Sequence, residues 1–416
     1  MPNGKITRRE FLARSAVGAA SIAGATLASS GALGANDRIS IGIIGTGSRG
    51  GSHMTDIIKL AKSMNVEITA VCDTWRVARE NAAKRVKEEF GKDCRSFSNY
   101  EDLLALDDVN AVVITTPDFS HCRILADALN AGKDAYCEKP MATELDDAIL
   151  ALDTAKKTGR VVQIGTQRRS DGKWRGMVKM MQSGILGTVS RVEIAWNDSG
   201  PRWNRGFSDV KEEDVDWKRY LMGKSDRPFD PSRYRRWHFY RDYTNGTIGL
   251  LGSHYIDVAT WAMDDPLPIS AVAHGGAYVW KDGREHEDTV YAIYDFPKGF
   301  ACRYLTGLGN SAESGLRIYG TNGMFSESTW TFTGAGGGSK KIKEPMAFTP
   351  EKSDNHMGNW IDCMRSRNTP NAPIEIGYNH SVACIMGYQA LLSGKKMKYL
   401  PDLRKIVAAD VWAVRG

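Results

Sequence analysis

Short apolar runs alternate with segments of helical periodicity through the first part of the chain, from about residue 37 to residue 165. An unbroken apolar run of about four to eight residues is typical of a strand that is buried on both faces of a parallel sheet. With helical patterns between them, such runs occupy residues 39–44, 66–72, 111–116, 134–137 and 160–165. The repeated order of strand and helix predicts a doubly wound parallel sheet with helices on both faces.

Three helices are predicted within this part of the chain, at residues 51–63, 120–131 and 143–158. The last of them opens on the tetrapeptide Thr-Glu-Leu-Asp at 143–146. This order resembles a capping box, in which side chains satisfy the first free backbone amides of a helix. We therefore expect residues 36–165 to form one Rossmann domain of the α/β class.

The pattern changes after Trp174. Apolar and polar residues then alternate with a period of two, which is typical of strands with one buried face, at residues 192–196, 289–294, 300–308 and 316–319. This predicts an α+β domain over residues 166–416, with a large, open, mostly antiparallel sheet and a C-terminal helix free to pack back on the first domain. The connections 203–231 and 334–339 are predicted to be loops.

A glycine-rich turn follows the first strand directly. In a strand–turn–helix unit of the GxGxxG type, the first glycine permits the tight turn, the second lets a pyrophosphate approach the backbone, and the third lets the helix pack on the strand. The amides at the start of that helix then face the phosphates. We predict that a dinucleotide binds the six residues of this turn, which are Gly45, Thr46, Gly47, Ser48, Arg49 and Gly50.

An acidic residue ends the second strand. Asp73 follows the run 66–72, at the position where a carboxylate can accept hydrogen bonds from the adenosine ribose hydroxyls. The same carboxylate would repel a 2′-phosphate, so the prediction favours NAD over NADP. The nearby Arg76 would soften that preference.

Charge and cysteine content narrow the classes of function. The 416 residues carry 55 Lys and Arg against 49 Asp and Glu, a net charge of +6. Because residues 1–35 hold four cationic residues and one anionic residue, they supply three of these charges, and the rest of the chain is too weakly basic to suggest nucleic acid. The seven cysteines show no CxxC or Cys/His cluster, so neither a disulfide framework nor a metal site is expected.

The N-terminal segment has the pattern of a targeting signal. Arg8 and Arg9 precede Phe-Leu, an Ala- and Gly-rich apolar stretch at 13–28 and small residues at 30–35. This resembles a twin-arginine signal and predicts export of residues 36–416 to the periplasm in folded form, with the cofactor retained. No later apolar stretch reaches about 18 residues, so no membrane span is expected after processing.

Several motifs, in order along the chain, resemble the family of glucose-fructose oxidoreductase, inositol dehydrogenase and MocA, and in particular its exported branch. They are the GxGxxG turn, Thr-Thr-Pro-Asp-Phe-Ser-His at 115–121, Glu-Lys-Pro at 138–140, and Gly-Thr-Gln-Arg-Arg at 165–169, with further similarity at 252–257 and 356–367. The resemblance implies a homo-oligomer built on the open sheet face. It also implies that the cofactor site, besides the turn, Asp73 and Arg76, includes Thr116, Pro117, His121, Glu138, Lys139 and Gln167.

The resemblance implies that Lys139 is catalytic, because the lysine of this motif lies beside the nicotinamide and the substrate hydroxyl. A partly desolvated amine can titrate low enough to exchange a proton. His254 is the second candidate. Many family members have an aspartate four residues before this histidine, but that position is Leu250 here. Lys139 and His254 are then expected to divide the acid and base work, with Asp257 on the same helical face able to orient the imidazole.

The segment 233–243 is dense in aromatic and charged side chains. Aromatic rings stack on the apolar faces of sugars and charged groups bind their hydroxyls, so this composition favours sugar recognition; a structural or subunit-contact loop is the alternative. The candidate substrate-binding residues are Lys139, Arg169, Arg236, His238, His254 and Asp257.

Three functions are consistent with these features. The first is hydride transfer between tightly bound NAD and a secondary hydroxyl or ketone of a sugar, glycoside or cyclitol. The second is an NAD-dependent glycoside hydrolase or lyase that works by transient oxidation, elimination and re-reduction. The third is a sugar sensor without catalysis. The motifs do not distinguish the sugar or the carbon that reacts.

Overall fold

The computed structural model describes residues 37–409. The predicted export segment, residues 1–35, lies outside the described residues, as do residue 36 and residues 410–416. From Ile39 onwards the chain forms one compact unit. Within that unit are two β-sheets, of six and nine strands.

Strands and helices alternate strictly in the first sheet and its flanking layers. The elements are β1 (Ile39–Ile44), α1 (Ser48–Leu60), β2 (Val66–Cys72), α2 (Arg76–Phe90), β3 (Arg95–Phe97), α3 (Tyr100–Leu104), β4 (Ala111–Ile114), α4 (His121–Asn130), β5 (Asp134–Cys137), α5 (Leu145–Thr158) and β6 (Val162–Ile164).

All six strands are parallel and lie in the order β3-β2-β1-β4-β5-β6. The chain therefore turns back at β1 and β4, which are neighbours, and a crevice opens at their carboxyl ends. The side chains of β4 are fully buried, which explains its unbroken apolar sequence. The predicted doubly wound parallel sheet is confirmed, and the domain boundary predicted at residue 165 lies just after β6.

The second sheet and its helices follow β6. They are α6 (Gly172–Gln182), β7 (Val189–Asn197), α7 (Trp217–Leu221), α8 (Pro231–Arg235), α9 (Ser253–Met263), β8 (Ser270–Gly276), β9 (Thr289–Asp295), β10 (Ala301–Gly307), β11 (Gly315–Gly320), β12 (Gly323–Ser326), β13 (Thr331–Thr333), α10 (His356–Ser366), α11 (Ile374–Ser393), β14 (Lys396–Leu400) and β15 (Lys405–Ala409).

This sheet has the strand order β13-β12-β11-β7-β10-β9-β8-β14-β15. Neighbouring strands β7 and β10 are parallel, and the other adjacent pairs are antiparallel. The prediction of a mostly antiparallel sheet is confirmed. One face packs on helices. On the other face, Tyr291 and Ile293 are 47% and 44% exposed, and the predicted homo-oligomer would use this face.

The first half differs from the sequence prediction in several details. Elements α2, β3 and α3, between residues 76 and 104, were not predicted. Helix α1 begins at Ser48, three residues earlier than predicted, because Gly47 serves as its N-cap and ends the turn. Helix α5 begins at Leu145 without any side-chain cap, so the predicted capping box does not form. The backbone carbonyl of Thr143 instead accepts a hydrogen bond from the Asn245 side chain at 3.0 Å.

Helix α11 joins the two halves of the unit. It packs against α5 and β6 on one side and against β8 on the other. On it, the His380 imidazole and the Ser381 hydroxyl accept hydrogen bonds from the backbone amides of Met141 (3.3 Å) and Ala142 (3.1 Å). These contacts fix the chain that follows Lys139, so a C-terminal helix supports the strand ends of the first half. Within residues 37–409, no helix combines the length and apolar character needed to cross a bilayer.

Candidate active site

Two connected cavities lie at the carboxyl ends of the parallel strands. The first, of about 420 Å³, is lined by the glycine turn, by Asp73 and by residues that follow β4. The second, of about 330 Å³, contains Lys139 and His254. The two cavities meet at five residues that line both of them, which are Ser48, Thr115, Thr116, Arg205 and Trp237.

The glycine turn is shaped for a ligand that approaches its backbone. Gly45 has a φ of +89°, and a Cβ there would lie 2.8 Å from the Thr115 backbone. A Cβ on Gly50 would collide with the Gly45 carbonyl oxygen, whereas one on Gly47 would meet nothing within 4 Å. Gly47 also leaves the first amides of α1 without a side-chain cap, so they remain available to an anion. This open position fits the pyrophosphate of a dinucleotide.

Asp73 accepts four hydrogen bonds in the first cavity. Its Oδ2 accepts from the amide (2.7 Å) and the hydroxyl (3.0 Å) of Thr46. Its Oδ1 accepts from the Trp75 amide (2.9 Å) and, at the longest distance of the four, from the Tyr234 hydroxyl (3.2 Å). Thr46 therefore orients the carboxylate. A ribose hydroxyl at this carboxylate would compete first with Tyr234.

A segment from the second half of the chain covers the first cavity. We call residues 201–240 the strap, since they cross from the second sheet to the end of β2. Trp75 forms a β-bridge with Val215, and the Asp216 amide donates to the Thr74 carbonyl at 2.8 Å. The strap supplies Arg205, Arg219, Tyr220, Met222, Tyr234, Arg235 and Trp237 to the cavity wall.

Arg76 lies beside the strap and does not line either cavity. Its guanidinium pairs with Asp214 at 2.5 Å and with Glu80 at 3.0 Å. These hydrogen bonds raise the pKa of Arg76. Arg76 was predicted to bind the cofactor, but in the structure its ion pair with Asp214 connects α2 to the strap.

Glu138 is the buried centre of a charge network at the start of the second cavity. Its Oε1 accepts from Arg49 Nε at 2.8 Å and from His53 Nε2 at 2.7 Å, and Gln167 Nε2 lies at 3.4 Å. Burial opposes the charge of Glu138, but the His53 hydrogen bond and the Arg49 charge overcome it and hold its pKa well below the usual range. Arg49 and Gln167 thus help to fix the strand end that carries Lys139.

Lys139 and His254 face the second cavity together. Lys139 Nζ donates to the backbone carbonyl of Leu250 at 2.9 Å. Burial lowers the pKa of Lys139, while the charges of Glu138 and Asp118 oppose that change. The His254 ring lies against Trp196, with centroids 5.4 Å apart, and its pKa is held well below the usual value by burial, then by the charges of Lys139 and Arg168. His254 is therefore a neutral imidazole that can accept a proton.

Asp118 is a further titratable group of this cavity, and it was not among the predicted site residues. It is 3% exposed and accepts a hydrogen bond from the Thr244 hydroxyl at 2.7 Å. Burial raises its pKa to about 7, against the opposing charge of Lys139. Its position directly after Pro117, at the end of a buried strand, was the sequence signal that could have identified it.

His121 supports the same strand ends. Its two ring nitrogens lie 2.9 Å from the Pro140 carbonyl and 2.7 Å from the Thr116 carbonyl. It lines the second cavity with Thr116, whereas Pro117 lines the first. These three predicted cofactor residues therefore surround the place where the cavities meet.

Three predicted substrate residues lie outside the lining of both cavities. Arg169 and Asp257 form a buried ion pair at 2.8 Å, with side chains 10% and 2% exposed. Asp257 thus pairs with Arg169 instead of orienting His254, which corrects the role inferred from their shared helical face. Arg236 Nε donates to the backbone carbonyl of Arg205 at 2.6 Å, and its guanidinium lies over Phe207. It therefore acts on the strap and not directly in the cavity.

Aromatic rings form a wall of the second cavity. His238 stacks on Trp237, with centroids 3.7 Å apart, and on Trp203 at 5.3 Å. Burial holds the pKa of His238 well below its usual value, so the ring is neutral. Trp196, Trp203 and Trp237 all line the cavity. Trp237 belongs to the segment 233–243 that the sequence favoured for sugar recognition, whereas Trp196 and Trp203 were missed because they lie outside it.

Neither a metal nor a disulfide contributes to this arrangement within residues 37–409. The His, Cys, Asp and Glu side chains there form no cluster suited to holding a metal ion. All seven cysteines are free thiols, and six of them are buried.

Comparison with known proteins identifies both halves. Residues 39–166 match the model of an oxidoreductase family with an NAD-binding Rossmann fold, and residues 210–326 match the GFO/IDH/MocA C-terminal domain. A Lactiplantibacillus plantarum inositol 2-dehydrogenase/D-chiro-inositol 3-dehydrogenase is 28% identical over 206 residues, which cover 49% of this chain and 53% of that enzyme. A Shewanella baltica glycosyl hydrolase family 109 protein is 28% identical over 192 residues, or 45% of this chain and 40% of that protein.

The fold extends further than these sequence matches. The chain spans about half the length of the relatives above, whereas the aldose-aldose oxidoreductase of Caulobacter crescentus superposes with a TM-score of 0.66 over 87% of this chain and 99% of that one, at 17% identity. The glycine turn, the Rossmann sheet and the second sheet agree with both family models. The chain therefore belongs to the GFO/IDH/MocA family of oxidoreductases with an NAD-binding Rossmann domain.

Proposed function

We propose that this protein is an NAD-dependent carbohydrate oxidoreductase that acts on a secondary hydroxyl or ketone of a sugar, glycoside or cyclitol. The observation that carries the proposal is that Lys139 and His254 line one cavity, which shares five lining residues with the cavity of the glycine turn. NAD, when bound, accepts or donates the hydride. Gly45, Gly47 and Ser48 would hold its phosphates and Asp73 its adenosine ribose.

The protein's part in the reaction is to bind the alcohol and to move its proton. The lowered pKa of His254 keeps its ring neutral but makes it a weak base, so the ring would take the hydroxyl proton as departure of the hydride acidifies that hydroxyl, and would return it during reduction. Lys139, held by the Leu250 carbonyl, can direct a further N–H to the same oxygen. General acid–base catalysis of this kind contributes about 10²–10⁴-fold to a rate.

The walls of the second cavity favour a carbohydrate. Indole faces such as those of Trp196 and Trp237 pack on the C–H faces of a sugar ring, while the charged groups beside them bind hydroxyls. The relatives named above support the same substrate class, since they include a cyclitol dehydrogenase and an aldose oxidoreductase.

We further propose that NAD stays bound during turnover and that the protein works in the periplasm. The twin-arginine pattern at residues 1–35 motivates the location, where no soluble nicotinamide pool would replace lost cofactor. The strap supports retention, because it covers the first cavity with residues from the second half of the chain. Reoxidation would then use a second carbohydrate or a later step of the same turnover.

The test is mass spectrometry of the bound nucleotide in the purified protein, followed by a carbohydrate panel monitored by NADH absorbance. We expect NAD to co-purify and one class of sugar or cyclitol to reduce it. The absence of nucleotide, of NAD binding and of any redox change would contradict the proposal. Exchange of bound NAD within seconds would contradict retention alone.

A redox-neutral glycosidase or lyase is the second candidate, and the similarity to the glycosyl hydrolase family 109 protein favours it. Its net reaction would cleave a glycosidic bond without accumulating NADH, and Lys139 and His254 would move protons in both directions. Release of the aglycone from a chromogenic glycoside, with no net change in NADH, would identify it.

A further inference from the structure

Six arginines line the two cavities, and five of them have a carboxylate partner. The pairs are Arg49 with Glu138, Arg123 with Asp127, Arg202 with Asp198, Arg219 with Asp216 and Arg235 with Asp209. Arg205, on the strap, is the sixth. Among the described residues it forms no ion pair, and its guanidinium makes no hydrogen bond to the protein.

The position of Arg205 is as unusual as its lack of a partner. It lines both cavities, at the place where they meet. Its backbone is fixed, because its carbonyl accepts the hydrogen bond from Arg236. Arg205 is exposed as a whole residue, but the cavity walls bury part of it, and this partial burial, followed by the positive charge of Arg235, lowers its pKa. An anion placed between the cavities would relieve that repulsion.

We propose that Arg205 binds an oxyanion of the ligand where the two cavities meet. A guanidinium presents paired N–H donors that match a phosphate or a carboxylate. This inference rests on the proposed function, because the oxyanion belongs either to the dinucleotide pyrophosphate at the glycine turn or to an acidic group carried by the carbohydrate.

The nearby acidic residues already have partners or a raised pKa, so they oppose an added negative charge only weakly. In the second cavity, Glu138 is already paired with Arg49 and hydrogen-bonded to His53, and Asp118 has a pKa raised to about 7 by burial. The Asp73 carboxylate in the first cavity is occupied by four donors. No described carboxylate forms an ion pair with Arg205, so none holds its guanidinium before a ligand binds.

The experiment compares Arg205→Gln and Arg205→Lys with the wild type and with Arg241→Gln, a control whose arginine pairs with Glu287 outside both cavities. The first measurement is NADH binding and release, followed by nucleotide fluorescence. The second is the thermal shift that D-glucuronate or D-glucose produces on NADH-loaded protein. Melting temperatures without ligand establish that each variant is folded.

If the pyrophosphate is the anion, we expect Arg205→Gln to weaken NADH binding by about tenfold, Arg205→Lys to weaken it less, and Arg241→Gln to leave it unchanged. If the sugar carries the anion, NADH binding stays at the wild-type value, and the shift caused by glucuronate, but not that caused by glucose, is lost in Arg205→Gln. Either result supports the inference.

Wild-type values for both ligands in a folded Arg205→Gln protein would overturn the inference and leave the proposed function standing. A wild-type protein that binds neither NADH nor either sugar would contradict both the inference and the proposed function. The fluorescence and thermal-shift measurements do not require turnover, so they separate a binding role from a catalytic one.

Discussion

Lys139 donates from its Nζ to the backbone carbonyl of Leu250 at 2.9 Å, although Leu250 occupies the position where the family usually has an acid. The carbonyl belongs to a wide helical turn, Ile248–Gly252, directly before the helix that carries His254. The backbone thus supplies an acceptor where a side chain is missing. The lysine is held without a carboxylate from that turn.

Replacing Lys139 by alanine should abolish most catalysis and spare binding. We expect turnover to fall by about 10²–10⁴-fold, because one of the two proton-handling groups is lost, while bound nucleotide remains near the wild-type amount. The check is steady-state kinetics together with mass spectrometry of the nucleotide. Lys173→Ala, which removes a lysine that lies over the Trp330 ring, is the matched control. Unchanged turnover in Lys139→Ala would favour a sensor or a different catalytic group.

Alanine substitutions at Gly47 and Gly50 should have different effects, the first on NAD binding and the second on the stability of the fold. A Cβ at Gly47 meets no protein atom within 4 Å, so Gly47→Ala should lower the free energy of unfolding by only about 1 kcal/mol, the typical cost of alanine at an N-cap, and still weaken NAD binding. Gly50→Ala should destabilise the protein, since its Cβ would collide with the Gly45 carbonyl. Denaturant unfolding and NAD titration of both variants test this. Wild-type NAD affinity in Gly47→Ala would mean that the ligand does not approach the turn.

Asp118 should make stability depend on pH in a specific direction. Burial raises its folded pKa to about 7, above an unfolded value of about 3.9, so the folded state binds more protons than the unfolded state between those values. Its contribution is therefore fully present below about pH 4 and is lost as the pH rises through 7. Asp118→Asn should gain a few kcal/mol relative to wild type between pH 4.5 and 7.5.

The measurement for Asp118→Asn is denaturant unfolding at those two pH values. Exposed Asp226→Asn serves as the control and should follow the wild type. A difference between wild type and Asp118→Asn that does not change with pH would show that Asp118 is ionised throughout.

The buried pair of Arg169 and Asp257 should be structural. Removing one partner leaves an unpaired charge in an apolar place, which typically costs about 3–5 kcal/mol. We expect that loss in Arg169→Met and in Asp257→Asn, and a smaller loss in the double variant. Thermal and denaturant unfolding measure the loss of stability in each variant. If the double variant loses as much stability as the two single variants together, the two residues are not coupled.

Much of the first half of the fold could be predicted because its sequence pattern is local, but α2, β3 and α3 were not predicted. Strands β1 and β2 were assigned to the residue from their short, mostly apolar runs, although β2 also carries the partly buried Glu67 and Thr69. The helix that follows β1 was placed too late, since the sequence alone did not show that Gly47 itself begins it.

The site was harder to predict where it depends on partners far along the chain. Helical spacing put Asp257 beside His254, but Arg169, 88 residues earlier, takes the carboxylate. The tryptophan wall and the tether of Arg76 to Asp214, 138 residues away, follow from packing between the two sheets. No local pattern reports such contacts. Asp118 lies in one of the motifs that the sequence analysis identified, but the sequence did not show that its side chain is buried.

The strap has a consequence for how this protein can be divided. Tyr220 and Tyr234 close the adenosine side of a cavity whose glycine turn lies more than 160 residues earlier in the chain. Residues 39–166 alone would carry the recognisable nucleotide motif with one wall missing. We therefore expect nucleotide affinity to depend on residues from both halves, and a fusion protein that carries only the Rossmann half would have the motif without these covering side chains.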